Sequence, residues 1–206
     1  MPLKQRGTIG QLEWCLWTFA DNDIYPEDVH DGFLQNDRLN RISNDEVRAQ
    51  YLAARMALQS LVGKQGVLAF SSNGKPSLGD SGSVSLSHTV GSAAACYHPN
   101  QDCGIDIELS NRVFSDRVIK RFAHPDEMEQ LNQYGAVHFW CAKEAVYKAN
   151  GSSGVHFNEH IRVSWHNDQK DVLYGVAKTH NKKIWNIQNR LLDGLVVSLV
   201  IPFTPK

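Results

Sequence analysis

The stretch "CGIDIEL", residues 103–109, places Asp106 and Glu108 one residue apart inside an otherwise apolar run. In a strand, successive side chains alternate faces, so both carboxylates point one way while Ile105 and Ile107 point the other. Two like charges beside a low-dielectric wall are disfavoured unless something positive neutralises them, and a hard divalent cation does so through oxygen ligands. The competing reading is an edge strand with two solvated acids. A second constellation is "FWCAKEAVYKANG". On a helix its Trp140, Glu144 and Lys148 fall at i, i+4 and i+8, with Lys143 and Tyr147 in the neighbouring row. One helix face then carries an aromatic, an acid and a base; the plainer alternative is a Glu-to-Lys surface pair with Trp140 in the core.

A third group suits a phosphate. Lys75 lies on the tight turn "NGKP" and His88 follows a strand in "LSH"; Arg48 and Arg55 sit on the preceding helix. All four are donors that a phosphate accepts from, Arg in bidentate fashion. The alternatives are that Arg55 snorkels or pairs with an acid, and that His88 merely ends a strand.

These side chains need elements to hold them. "SNDEVRAQYLAARMALQSLVG" predicts a helix: Ser43 or Asn44 caps it, Glu46 sits in its first turn, and Val47, Tyr51, Ala54, Leu58 and Leu61 recur at helical spacing before Gly63. "IGQLEWCLWTFA" reads as a strand ending at the turn-prone "DNDIYP". "SVSLSHTVGSAAACY" reads as two strands around a short loop, and "CGIDIEL" as a further strand. Residues 115–151 predict two or three helices broken at Pro125 and near Gly135, the last starting about Ala136. "HIRVSWH", "VLYGVAKT" and "LVVSLVIPF" read as strands, with "NIQNRLLDG" as the polar joint before the last. Two α+β halves follow, residues 1–101 and 102–206, without a low-complexity linker.

At 206 residues the chain can bury a core without disulfides or a structural metal. Its 21 Lys and Arg nearly cancel 22 Asp and Glu, so no overall field points to nucleic acid or a membrane as partner. Cys15, Cys96, Cys103 and Cys141 lack a C-x-x-C pair or a framework spacing, which fits reduced thiols in the cytoplasm. No stretch approaches the roughly 18 consecutive apolar residues needed to span a bilayer, and the N-terminus lacks an apolar export segment.

Together, "NGKP", "LSH", "GIDIE" and "WCAKEAVYK", with Arg55 on the preceding helix, resemble the 4'-phosphopantetheinyl transferase superfamily in its surfactin-type, single-chain branch. The resemblance spans roughly residues 48–148 and rests above all on "GIDIE" followed by "WCAKEAVYK". It implies an α+β fold of two similar halves related by a pseudo-twofold axis, each a small antiparallel sheet on a long helix. It implies an enzyme of the holo-[acyl-carrier-protein] synthase type, which transfers the phosphopantetheine arm of coenzyme A to a serine of an apo acyl or peptidyl carrier protein and releases adenosine 3',5'-bisphosphate. Mg2+, or Mn2+ in its place, is the implied cofactor, held by Asp106, Glu108 and Glu144. Glu144 is then the candidate base and Lys148 the group that neutralises or protonates the leaving phosphate; Arg55, Lys75 and His88, with Arg48 in support, are the coenzyme A contacts. The segment "QNDRLNRISNDEV" that leads into the first helix offers only Arg38 and Arg41 as further basic residues. Carrier proteins are acidic and helical, which makes Arg117, Lys120, Arg121 and Phe122 the expected docking segment. A cytoplasmic monomer with two pseudo-dimeric halves completes the expectation.

Two other enzyme classes compete. A metal-dependent phosphohydrolase would explain the acids but not "NGKP" or "LSH". A serine hydrolase built on Ser87, His88 and Asp106 lacks a G-x-S-x-G elbow. A non-catalytic coenzyme A or carrier-binding module would not need three acids.

Overall fold

The computed structural model describes residues 3–20, 24–169 and 172–203. The chain forms two compact units, Met1–Cys103 and Gly104–Lys206. In the first, a hairpin of β1 (Leu3–Ile9) and β2 (Leu12–Thr18) is followed by a short helix α1 (Asn36–Asn40), the long helix α2 (Asp45–Val62), two-residue strands β3 (Ala69–Phe70) and β4 (Pro76–Ser77), and the hairpin β5 (Ser83–Thr89) and β6 (Ser92–His98). All strand pairs are antiparallel, in the order β1-β2-β6-β5-β4-β3.

Helix α2 begins where Asn44 Oδ1 accepts the Val47 N–H at 2.9 Å, so Asn44 rather than Ser43 is the cap. It lies on β2 and β6 through small side chains: Ala53 and Ala57 of the helix and Ala93 and Ala95 of β6 are all fully buried. Sparing large side chains on both surfaces lets the backbones approach closely, and Leu52 and Leu58 fill the flanks. The opening strand of the sequence reading is really two. Its first residues, Ile9 and Gly10, belong to β1 and its turn, and β1 escaped notice because Lys4, Gln5, Arg6 and Gly7 are what an edge strand tolerates. The "DNDIYP" turn falls partly outside the described residues.

In the second unit β7 (Gly104–Leu109) leads to α3 (Asp116–Phe122), a 3-10 turn at Pro125–Glu127, α4 (Met128–Tyr134), the 15-residue α5 (Ala136–Asn150) and the one-turn α6 (Phe157–His160). A meander follows: β8 (Ile161–Gln169), β9 (Val172–Thr179), β10 (Ile184–Leu192) and β11 (Leu195–Pro202). The sheet order is β7-β11-β10-β9-β8, antiparallel throughout. Phe139, Ala142, Val146 and Ala149 of α5 share one core with Trp165, Trp185, Ile187 and Val200 of the sheet.

The segment expected to be a polar joint, "NIQNRLLDG", is instead most of β10 and the turn after it. Trp185, Ile187 and Asn189 alternate inward at 1 % exposure or less. Asn189 is an inward polar residue because its amide donates to Ser198 Oγ at 2.6 Å and its oxygen meets His138 Nδ1 at 2.6 Å. That side-chain pairing hides a period of two from a count of apolar residues. The remaining elements agree with the α+β class: each unit is an antiparallel sheet with one long helix against it.

Candidate active site

Strand β7 presents Gly104, Asp106 and Glu108 to α5, and each meets a different part of that helix. A Cβ on Gly104 would run into the Ala145 carbonyl oxygen, so glycine here sets how closely helix and strand approach. Asp106, 5 % exposed, receives Lys148 Nζ on Oδ1 at 2.6 Å, and Lys148 also donates to the Ile105 carbonyl at 3.3 Å. The Cys141 thiol donates to the Asp106 carbonyl at 3.2 Å and steadies the strand from the same helix. Glu108 Oε1 accepts the Trp140 indole N–H at 2.9 Å and pairs with Arg112, which lies just beyond the strand. The helix therefore runs against the strand in the opposite sense, with Trp140 at Glu108, Lys148 at Asp106 and Glu144 between them.

The electrostatics follow from this crowding. Burial, then the negative charge of Asp106, push Glu144 up to about 7; Lys148 works against this and Glu108 adds to it. For Lys148, burial pulls downward, but the charge and hydrogen bond of Asp106 outweigh it and hold the ammonium above the ordinary lysine range. Three carboxylates thus share one side of β7 and α5, and the region carries more negative potential than its two cations relieve. Among the described residues no three His, Cys, Asp or Glu groups close on a point as a finished metal cage. Asp106 and Glu108 are instead turned to Lys148 and Arg112. Oxygen-only donors with excess negative charge are the ligand chemistry that a hard divalent cation takes. The solvated edge strand is only half right: β7 is the sheet's edge, yet its acids are covered by α5.

Lys143, one residue before Glu144, has a separate and buried function. Fully enclosed, its ammonium meets Glu127 Oε2 at 2.6 Å and the carbonyls of Phe122 at 2.7 Å, Ile161 at 2.8 Å and Phe157 at 3.2 Å. Glu127 in turn accepts the backbone N–H groups of His124 and Val163, both at 2.7 Å. The pair ties α5 to the end of α3, the 3-10 turn and the start of β8. Burial, opposed by Glu127, pulls the Lys143 ammonium down to about 8. Neither this knot nor the Arg112 contact was found by sequence reasoning. Glu127 carried a signal in "HPDE", where it caps the turn begun by His124, whose ring accepts from Asp126 N–H at 3.1 Å. Arg112 carried none, since its pairing depends on how the chain turns after β7.

The first unit holds the other expected residues. Arg55 is 4 % exposed; its Nε donates to the Phe33 carbonyl at 3.0 Å, an Nη donates to the Tyr51 carbonyl at 2.9 Å, and its guanidinium lies 3.3 Å from the centre of the Tyr51 ring. Burial first of all brings it down to about 10. Arg48 donates to the Leu39 carbonyl at 3.2 Å. Lys75 meets Asp102 at 2.5 Å on the wall of an open cavity of about 480 Å3, which Ser71, Asp80 and Ser83 also line. His88 is exposed on β5 while Ser87 is buried on its other face, which leaves no Ser–His dyad for hydrolysis. Arg117, Lys120 and Arg121 are exposed on α3, but Phe122 is 1 % exposed and belongs to the core, where it packs edge-on against Phe114 and Trp140. Phe122 therefore leaves the expected docking set.

Residues 102–200, nearly the whole of the second unit, match the family model described as the 4'-phosphopantetheinyl transferase superfamily. The match falls on the second unit. Both "GIDIE" and "WCAKEAVYK" lie within the matched residues. Among solved structures the chain is similar to the holo-[acyl-carrier-protein] synthase of Thermotoga maritima, with 20 % identity over 51 % of this chain and 64 % of that one, at a TM-score of 0.36. The chain thus spans less than two thirds of that structure's length. No curated protein matches the chain. Among the described residues no helix is long and apolar enough to cross a membrane.

Proposed function

We propose that the protein transfers the 4'-phosphopantetheine arm of coenzyme A to a serine hydroxyl of an apo acyl or peptidyl carrier protein, with Mg2+ or Mn2+ as cofactor. The observation that carries the reading is the set of three carboxylates on β7 and α5 of the unit matched to the transferase superfamily, with Glu144 pushed up to about 7 by burial and its acidic neighbours. Asp106, Glu108 and Glu144 would hold the ion, and their donor chemistry fits it. Bound there, Mg2+ would draw negative charge from a pyrophosphate and steady the departing phosphate.

Glu144 is poised near neutrality, which suits a group that takes the proton of the carrier serine and can release it again. Lys148 stays charged and fixes Asp106 through a 2.6 Å bond, and its ammonium stands ready to neutralise the leaving 3',5'-bisphosphate. Lys75, His88 and Arg48 of the first unit are the proposed coenzyme A contacts. Of these, Lys75 is best placed, on the wall of a cavity. Arg55 has already spent its guanidinium on two backbone carbonyls and Tyr51, so its part is to shape the first unit around α2. The exposed Arg117, Lys120 and Arg121 offer a basic surface to an acidic carrier.

The test is incubation with coenzyme A, Mg2+ and a panel of apo carriers from fatty-acid, polyketide and peptide synthesis, read by intact mass. One carrier should gain a single phosphopantetheine. Asp106→Asn and Glu144→Gln should each abolish the gain while circular dichroism stays that of the parent. No gain with any carrier would overturn the reading, and release of adenosine bisphosphate without a carrier would favour a phosphohydrolase.

A further inference from the structure

Glu108 and Asp106 are both ion-paired, but their partners differ in kind. Lys148 is anchored on α5, three-quarters covered, and holds the Ile105 carbonyl as well as Asp106. Arg112 stands outside regular structure with its side chain 42 % exposed. Its guanidinium rests 4.8 Å from the centre of the Phe114 ring and 5.4 Å from that of Trp140. Both Arg112 and the Trp140 indole bind the same oxygen of Glu108, Oε1. A cation approaching Glu108 therefore meets a carboxylate already engaged by a guanidinium that has solvent on one side.

Charge counting points the same way. Asp106, Glu108 and Glu144, when ionised, carry three negative charges, and Lys148 supplies one positive charge. A divalent ion brings that sum to zero, which leaves Arg112 as surplus positive charge beside a neutral cluster. Without the ion, Arg112 is the nearest available counter-charge for Glu108.

We propose that Arg112 is a displaceable latch on Glu108: a divalent cation entering the site must evict the guanidinium, and its eviction turns a cation outward only when the site is loaded. The proposal rests on Asp106, Glu108 and Glu144 being the cation ligands. A latch of this kind makes metal binding weaker than the carboxylates alone would give, and it makes the exposed basic surface of this unit stronger once the ion is in place.

Mn2+ serves as the probe, titrated into the full chain without coenzyme A or carrier and followed by the resonance signal of the free ion. Arg112→Met should bind Mn2+ about two- to five-fold more tightly than the parent, the range of a partly exposed ion pair. Arg112→Lys should stay within about two-fold of the parent, because an ammonium can still hold the carboxylate. Loss of structure cannot produce tighter binding, so this direction separates a latch from a merely structural side chain. Unchanged or weaker binding in Arg112→Met would overturn the proposal and make Arg112 an orienting partner of Glu108 or a bystander. A second readout is the rate at which an arginine-selective dicarbonyl reagent modifies Arg112, located by peptide mass. The rate should rise when Mn2+ is added to the parent, and a constant rate would also overturn the latch. If neither the parent nor Arg112→Met binds Mn2+, the cation reading itself fails. Mn2+ binding that Glu108→Gln leaves intact places the ion elsewhere and refutes both.

Discussion

Replacing Lys143 with methionine keeps an unbranched stem of similar length and removes the ammonium, so the effect reads the charge and its hydrogen bonds rather than a packing hole. Four acceptors surround that ammonium within 3.2 Å: Glu127 Oε2 and the carbonyls of Phe122, Ile161 and Phe157. Removing one partner of a buried ion pair costs about 3–5 kcal/mol, because the charge left behind is desolvated and unpaired. Here Glu127 keeps two backbone N–H donors, from His124 and Val163, which places the loss nearer the lower end. For a chain of this length about 3 kcal/mol lowers the melting temperature by about 6–12 °C. Circular dichroism melts and urea titrations measure it. Glu127→Gln, which strands the ammonium instead, should lose a similar amount. In the double variant Lys143→Met/Glu127→Gln the losses should not add, with a coupling of at least about 1 kcal/mol. Losses below about 1 kcal/mol in both single variants would refute the view that this pair locks α5 in place.

Gly104→Ala should cost about 1–3 kcal/mol in urea unfolding, since its Cβ meets the Ala145 carbonyl on a helix that cannot yield alone; a neutral result would show that β7 and α5 can separate without penalty. The Glu144 carboxyl, raised to about 7 in the folded chain, retains a proton there that the unfolded chain gives up near pH 4.5. Its contribution to stability without metal therefore falls as pH rises through that window, because the folded state binds more protons than the unfolded one. Glu144→Gln should remove this fall and gain about 1–2 kcal/mol at pH 8 but nothing at pH 4, allowing for partial exposure. Identical pH profiles of stability for parent and variant would refute the assignment.

Much of the fold was written locally. Asn44 and Gly63 bound α2, Pro125 and Gly135 break the helical stretch, and alternation in "CGIDIEL" gives both a strand and a shared face for its acids. Trp140, Glu144 and Lys148 fall on the β7 side of α5 as helical spacing requires. What was not legible depends on contacts distant in sequence. β10 hid because Asn189 is buried by pairing with His138 and Ser198, and Lys143 read as a neighbour of the row of Trp140, Glu144 and Lys148 although its partner is Glu127. The burial of Arg55 and Phe122 is likewise decided by what packs over them. A charged helix residue and an aromatic beside basic residues look the same in sequence whether they face solvent or core.

Four of the five tryptophans, Trp14, Trp17, Trp165 and Trp185, are at most 9 % exposed, and only Trp140 is partly exposed to solvent. It is also the one whose indole N–H rests on Glu108 and whose ring lies beneath Arg112. A cationic aqueous quencher such as caesium will therefore sample one indole out of five, and that indole sits at the acids. The chain thus carries its own optical reporter of the site, without a label and without turnover.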